Sequence, residues 1–346
     1  MKRSLTVLFM LFLSSVLHGQ VVTHRYVTLD NYRIPLAKKG AVIGRVITIN
    51  DAKVARVKLI HDTSKLFNVS EDGVIRLRKG RALYAGKGGH AFGITLQISG
   101  KSYPFELVKD EFLTNKVIAH RGAWRKVGVM QNSIRSFQHA VELGCEGSEF
   151  DVWLSGDGVV VLSHDPHIGG LTVEESTAKD LYASTLSNGD PVPSLVEFIT
   201  IATKQNKTKM VLEIKPSPTG KALALADSVI SIVHRIKAQA YIEYISFDYA
   251  VLKRIRELDK SAKTAYLYGD KTVEELKKDG ITGLDYDFYK YRKDTELVEK
   301  AKRLGLTTNV WTVNEEQELL KYLRSDVDMI TTDEPELLLH LINQLK

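Results

Sequence analysis

In "VIAHRGAW", Val117 to Trp124, a histidine and an arginine follow three apolar residues and precede a glycine. An imidazole beside a guanidinium at the end of a buried strand sets a proton carrier next to an anion clamp, and Gly122 lets the backbone turn tightly there. In "GSEFDVWL", Glu149 and Asp151 are two residues apart, so on a strand both carboxylates point to one face while Phe150 and Val152 point to the other. "KMVLEIK" repeats the spacing with the opposite charge included, as Glu213 and Lys215. "VVVLSHDP" ends on His164 and Asp165, a second imidazole after an apolar run.

Two anions facing inward on a buried strand repel each other and need a cation. Three inward carboxylates from two strands supply oxygen ligands for a hard divalent ion, which implies Mg2+ or Ca2+. Taken alone, the first pair also fits an acidic edge strand in water, and Glu213 with Lys215 also fits a simple ion pair. Two imidazoles, three carboxylates, Arg121 and Lys215 together describe a site for a phosphate ester, with the histidines as general acid and base. A glycosidase would use a carboxylate pair but has no need of this density of positive charge.

From Lys116 onward strand-like and helix-like segments alternate, with about eight strands of the repeating type. A doubly wound sheet is possible, but the count and length predict an α/β fold of the (β/α)8 TIM-barrel kind over 116–346. Chemistry in such a barrel lies where strands end, at the C-terminal face. Before it, residues 20–113 read as short strands separated by Gly, Asn, Asp and Ser, with no helical period, which predicts a small antiparallel β-sandwich. "LFNVSEDGVIRL" in that region resembles a strand-turn-strand segment of cadherin-like domains, without their acidic calcium-linker motifs. The resemblance suggests a module meeting a surface or protein partner, or a structural cap on the barrel.

Residues 1–19 carry Lys2 and Arg3, an apolar run from Leu5 to Leu17 and Gly19, the layout of a secretory signal. The expectation is an exported protein, periplasmic or extracellular, with no transmembrane segment. The only cysteine, Cys145, is far from any lipoprotein cleavage point. It also excludes an intramolecular disulfide, a cysteine zinc site and an iron–sulfur cluster within one chain. Losing Lys2 and Arg3 would lower the formal charge from +6 to +4, scattered along the chain, so no nucleic-acid partner is indicated.

With these residues in place, 116–346 resembles the glycerophosphodiester phosphodiesterases, collinearly over the whole segment. The matching motifs are His120 to Gly122, Glu149 to Val152, Asp157 and Gly158 with Val161 through Asp165, "VPSLVEF", Leu212 to Lys215, Ser246 with Phe247, "VWTVN" and "ITTDEP". The resemblance implies a TIM barrel that hydrolyses small-molecule glycerophosphodiesters to glycerol 3-phosphate and an alcohol. It implies Glu149, Asp151 and Glu213 as metal ligands, His120 and His164 as the acid/base pair, and Arg121 and Lys215 on the phosphate. Phe247 and Trp311 would line the glycerol pocket or simply pack. Pro166 to Pro193 corresponds to the family's insertion and would lie over the site.

One position departs from the family. Where the family reads "P-E-N-[ST]" the chain has "MQNS", so Gln131 replaces a glutamate and can hydrogen-bond but not neutralise a cation. Asn132 and Ser133 also read as the cap of the next helix. Activity is the expectation. The alternatives are a catalytically impaired phosphodiester-binding protein, and a phospholipase acting on the headgroup of an intact lipid.

Overall fold

The computed structural model describes residues 27–48 and 56–345; the expected export signal, residues 1–19, lies outside the described residues. No helix among the described residues is long and apolar enough to cross a membrane.

The alternating strands of the first segment form two four-stranded sheets. One runs in the order Val27–Leu29, Val42–Thr48, Val74–Leu77 and Phe67–Val69, the other Arg33–Ile34, Lys101–Lys109, Ala91–Ile98 and Lys58–Asp62. Phe67, Ile75, Leu77, Ile94, Leu96 and Leu107 are fully buried in the core, while Arg76 and Arg78 alternate outward to water. The sandwich is not purely antiparallel as predicted. Arg33–Ile34 pairs parallel with Lys101–Lys109, because the chain crosses to the second sheet after Val27–Leu29 and meets its neighbour running the same way.

Eight parallel strands then close a barrel: β1 (Val117–Ala119), β2 (Gly147–Leu154), β3 (Lys209–Ile214), β4 (Ile242–Ser246), β5 (Lys263–Tyr266), β6 (Gly283–Asp287), β7 (Thr307–Trp311) and β8 (Met329–Thr332). β8 pairs with β1 and β1 with β2, so the sheet has no open edge. Ile118, Val211, Ile245, Leu267 and Met329 fill the barrel interior. Outward-facing Phe150 stacks on Phe198 of the helix Leu195–Ala202, ring centroids 4.3 Å apart, as the alternation along β2 requires.

"VVVL" is not a barrel strand. Val160–Leu162 returns antiparallel against the top of β2, Val152 opposite Leu162, and Gly158 makes the turn with φ of 83°.

The two sheets dock on the N-terminal end of the barrel, away from the strand ends where chemistry is expected. Arg33 Nε donates to the Ala240 carbonyl at 2.9 Å, its guanidinium covers the Phe112 ring, and Phe112 meets Tyr241 edge-on. Asn206 donates to the Lys109 carbonyl and Leu113 N–H to that of Lys207. Lys109, 1% exposed, is paired with Glu111 at 2.7 Å, and Glu111 also holds Lys207 at 2.5 Å. Burial pushes the Glu111 carboxyl up, but the two ammonium groups outweigh it and bring the pKa down to about 2.

Glu111→Ala leaves the Lys109 ammonium buried without its carboxylate, and the expected loss of stability is about 3 kcal/mol or more. The wild-type contribution holds above about pH 4.5 and fades as pH falls toward 2, so the difference in thermal midpoint between wild type and variant shrinks in acid. A loss below about 1 kcal/mol at pH 7 would contradict the pairing.

Candidate active site

The parallel register of β2 and β3 sets Asp151 directly beside Glu213, with Glu149 one inward position below. One ligand oxygen from each of the three lies within 4.8 Å of the others, and all three side chains are buried. Lys215 reaches back between them, its Nζ 2.8 Å from Asp151 Oδ1 and 2.9 Å from Glu213 Oε1.

Three desolvated carboxylates and one ammonium divide their charge unevenly. Burial, then Asp151 and Glu213, hold the Glu149 carboxyl well above the usual range. Glu213 rises to about 8, by burial first and Asp151 second, against the opposing pull of Lys215. Asp151 moves the other way: burial is outweighed by Lys215, with His164 and Asn132 adding. Lys215 is pushed down by burial and more than restored by Asp151 and Glu213. Glu149 Oε1 is buried with no hydrogen-bond partner among the described residues. This donor set, all oxygen, clustered, anionic and short of partners, fits a hard divalent cation.

The expected imidazoles flank this trio by different routes. His120 follows β1 directly and lies 4.0 Å from Glu149 through Nε2, while its Nδ1 is 2.7 Å from Asp333 Oδ1. His164 is not at the end of a barrel strand as expected. The hairpin after β2 folds back and delivers it, with Ser163 N–H bonded to the Asp151 carbonyl and Trp153 Nε1 to that of His164. His164 Nδ1 is 2.8 Å from Asp165. Burial holds its pKa below the ordinary histidine value, with Lys215 and Arg121 assisting and Asp151 and the Asp165 hydrogen bond opposing.

Arg121 adopts φ of 56°, and Gly122 after it φ of 84°, where a Cβ would come within 2.3 Å of Ser136 Oγ. The twist turns the Arg121 N–H onto Glu149 Oε2 at 2.8 Å and leaves the Arg121 Nε buried without a hydrogen bond. Gln131 accepts from Arg121 Nη1 at 2.9 Å and does not line the cleft itself. The cleft is walled by His120, Arg121, His164 and Lys215, with Phe247 and Trp311 meeting edge-on at 5.6 Å on the far side. Trp311 Nε1 is tied to the Asp285 carbonyl at 2.8 Å. No residue of the insertion 166–193 lines the cleft. That segment instead builds a satellite core of Ile168, Val173, Leu181 and Val192 on Trp153 and Val161.

Four residues of the site carry roles that the sequence reading did not assign. Asn132 clamps Asp151 twice, donating to Oδ2 and accepting from the backbone N–H, each at 2.9 Å, while Ser133 alone caps the following helix. Asp333 receives Arg125 and Asn314 as well as His120, which hold its carboxyl below the usual range against burial. Asn314 and Asp333 stood within "VWTVN" and "ITTDEP" but showed no spacing to His120 in sequence. Asp285 lies on the inner face of β6 and lines the cleft.

The sequence model of the glycerophosphoryl diester phosphodiesterase family matches residues 120–337. A glycerophosphodiester phosphodiesterase of Caldanaerobacter subterraneus is 28% identical over 247 residues, covering 66% of this chain and 98% of that protein. The crystal structure of a glycerophosphodiester phosphodiesterase from Parabacteroides distasonis superposes with a TM-score of 0.65 at 36% identity, over 68% of this chain and 99% of that one. A phosphodiesterase of Oleispira antarctica, solved with sn-glycerol-3-phosphate, shares the fold at 23% identity and a TM-score of 0.59, over 66% of this chain and 96% of that one.

Burial, with Glu243 adding and Asn309 and Lys209 opposing, raises the Asp285 carboxyl to about 7, and its Oδ1 has no hydrogen-bond partner among the described residues. The folded protein therefore binds this proton more tightly than the unfolded chain, so this group's contribution to stability is greatest below about pH 4 and declines as pH rises toward 7. Asp285→Asn should remove that slope and raise stability at pH 8 by roughly 1 kcal/mol or more, by denaturant titration. An unchanged slope between pH 5 and 7 would contradict the assignment.

Proposed function

Because the chain belongs to the glycerophosphoryl diester phosphodiesterase family, whose members hydrolyse glycerophosphodiesters, we propose that it is an exported, metal-dependent member using His120 and His164 as its acid/base pair. The single observation that carries this reading is the arrangement of two imidazoles, each with a carboxylate on Nδ1, around one carboxylate trio.

A carboxylate on Nδ1 fixes the tautomer and turns Nε2 toward the cleft, where protons are exchanged with the substrate. His164, held below its ordinary pKa, is neutral at pH 7 and available to accept a proton. The two histidines thus take one proton from the attacking hydroxyl, of water or of the glycerol 2-position, and give one to the leaving alcohol. Arg121 and Lys215 bind the nonbridging phosphoryl oxygens, Arg121 with an Nε that has an ion pair to Asp151 at 3.9 Å but no hydrogen bond among the described residues. Glu149, Asp151 and Glu213 would hold Mg2+ or Ca2+, which when bound neutralises charge developing on the phosphoryl group. Phe247 and Trp311 present an apolar wall to the glycerol carbons.

Gln131 supports activity rather than impairment. Its amide oxygen satisfies one arm of Arg121 without neutralising it, so the guanidinium keeps its full charge for phosphate.

The purified protein should release glycerol 3-phosphate from glycerophosphocholine or glycerophosphoethanolamine, and a chelator should abolish the release. Absence of turnover across a diester panel with both Mg2+ and Ca2+ would end this reading. His120→Ala and His164→Ala should each lower kcat by about two to four orders of magnitude. Asp333→Asn, which keeps the shape but loses the charge on His120, should lower kcat about 10- to 100-fold with KM little changed and a displaced pH profile. A uniform loss with an unaltered profile would make Asp333 merely structural.

A further inference from the structure

A second cavity, of about 530 Å³, opens on the same C-terminal rim, on the outer side of the strand wall that bounds the cleft. This is within the size range of small-molecule sites, about 300–1,000 Å³. Leu267 lines the cleft and Gly269 the cavity, so at most about 7 Å of chain separates the two linings. Likewise Asp285 faces the cleft and the next residue, Tyr286, faces the cavity, as alternation along β6 demands.

Four lysines line this cavity against Glu274 and Asp294. Lys300 is paired with Asp294 at 3.0 Å and Lys271 with Asp270 at 3.5 Å. Lys290 donates to the Gly269 carbonyl, and neither it nor Lys293 has a carboxylate at ion-pair distance among the described residues. Two exposed ammonium groups therefore face the cavity with their charge uncompensated. Tyr268 and Tyr289, next in sequence to the lining residues Gly269 and Lys290, are 60% and 64% exposed, the most exposed large apolar side chains described. Ammonium groups suit a phosphate as point charges, and tyrosine rings suit the C–H faces of a polyol.

Resting on the phosphodiesterase reading above, we propose that this cavity is a subsite for a second phosphate on the alcohol side of the substrate. The preferred substrate is then an extended, phosphodiester-linked polyol whose first linkage sits in the cleft. A choline or ethanolamine diester leaves the subsite unused.

The test compares glycerophosphoethanolamine with a synthetic glycerol-phosphate trimer in the full-length protein, wild type and Lys290→Ala/Lys293→Ala. The double variant should raise KM for the trimer about tenfold or more and leave both constants for glycerophosphoethanolamine unchanged. Salt should weaken the trimer's KM steeply in wild type and less in the variant. A milder Lys290→Gln/Lys293→Gln protein, with its thermal midpoint checked, guards against a folding defect. Equal effects on the two substrates, or none on the trimer, would overturn the proposal. Calorimetric binding to His164→Ala protein stands apart from turnover: tighter binding of the trimer than of glycerophosphoethanolamine, lost with the lysines, supports the subsite even if wild type cleaves neither and the phosphodiesterase reading falls. Lysine-dependent sedimentation with phosphatidylglycerol vesicles and an unmoved trimer KM would instead assign the patch to a lipid surface and overturn the subsite.

Discussion

The site depends on one ammonium group. Glu149, Asp151 and Glu213 are gathered in the barrel interior, where three carboxylates would not all stay ionised unaided. Lys215 lies against two of them and follows directly on β3, the strand that carries Glu213, so the cation that permits the cluster is delivered by the strand that helps create it. Asn132 then fixes Asp151 through its side-chain amide, and the Arg121 N–H fixes Glu149. The strained backbone at Arg121 and Asn132, both at positive φ, is held in place by those bonds. Charge compensation and backbone geometry are the same set of contacts.

The barrel's role is to make this set repeatable. Parallel pairing of β2 with β3 places Asp151 against Glu213 without any choice of rotamer, and a one-residue slip of β2 would send Glu149 and Asp151 out into the helices. The Phe150 ring on Phe198 is the lock against such a slip, because the slip would expose it to the interior. Packing on one face of β2 thereby specifies chemistry on the other.

Much of this was legible in the sequence because it is carried by strand alternation. Spacings of two in "GSEFDVWL" and "KMVLEIK" located the trio and Lys215, and the apolar run before His120 located the first imidazole. The contacts that escaped are those that alternation does not encode. Asp333 meets His120 across 213 residues through barrel closure. Asn132 looked like a helix cap because its neighbour Ser133 is one. His164 arrives by a reversing hairpin, which shares its apolar pattern with a barrel strand, and the insertion folds about its own small core instead of covering the cleft. The parallel pairing of Arg33–Ile34 escaped for a similar reason: two residues are too few to show a direction.

The docked sheets have a kinetic meaning beyond their packing. They cover part of the barrel's N-terminal face, and just inside that face Lys209 bridges Glu146 and Glu243, 3.2 Å from each, across the barrel floor. With the floor bolted, traffic through the cleft is one-way in and back out. A molecule held among His120, Arg121 and Lys215 therefore enters and leaves by the same mouth, at the C-terminal rim.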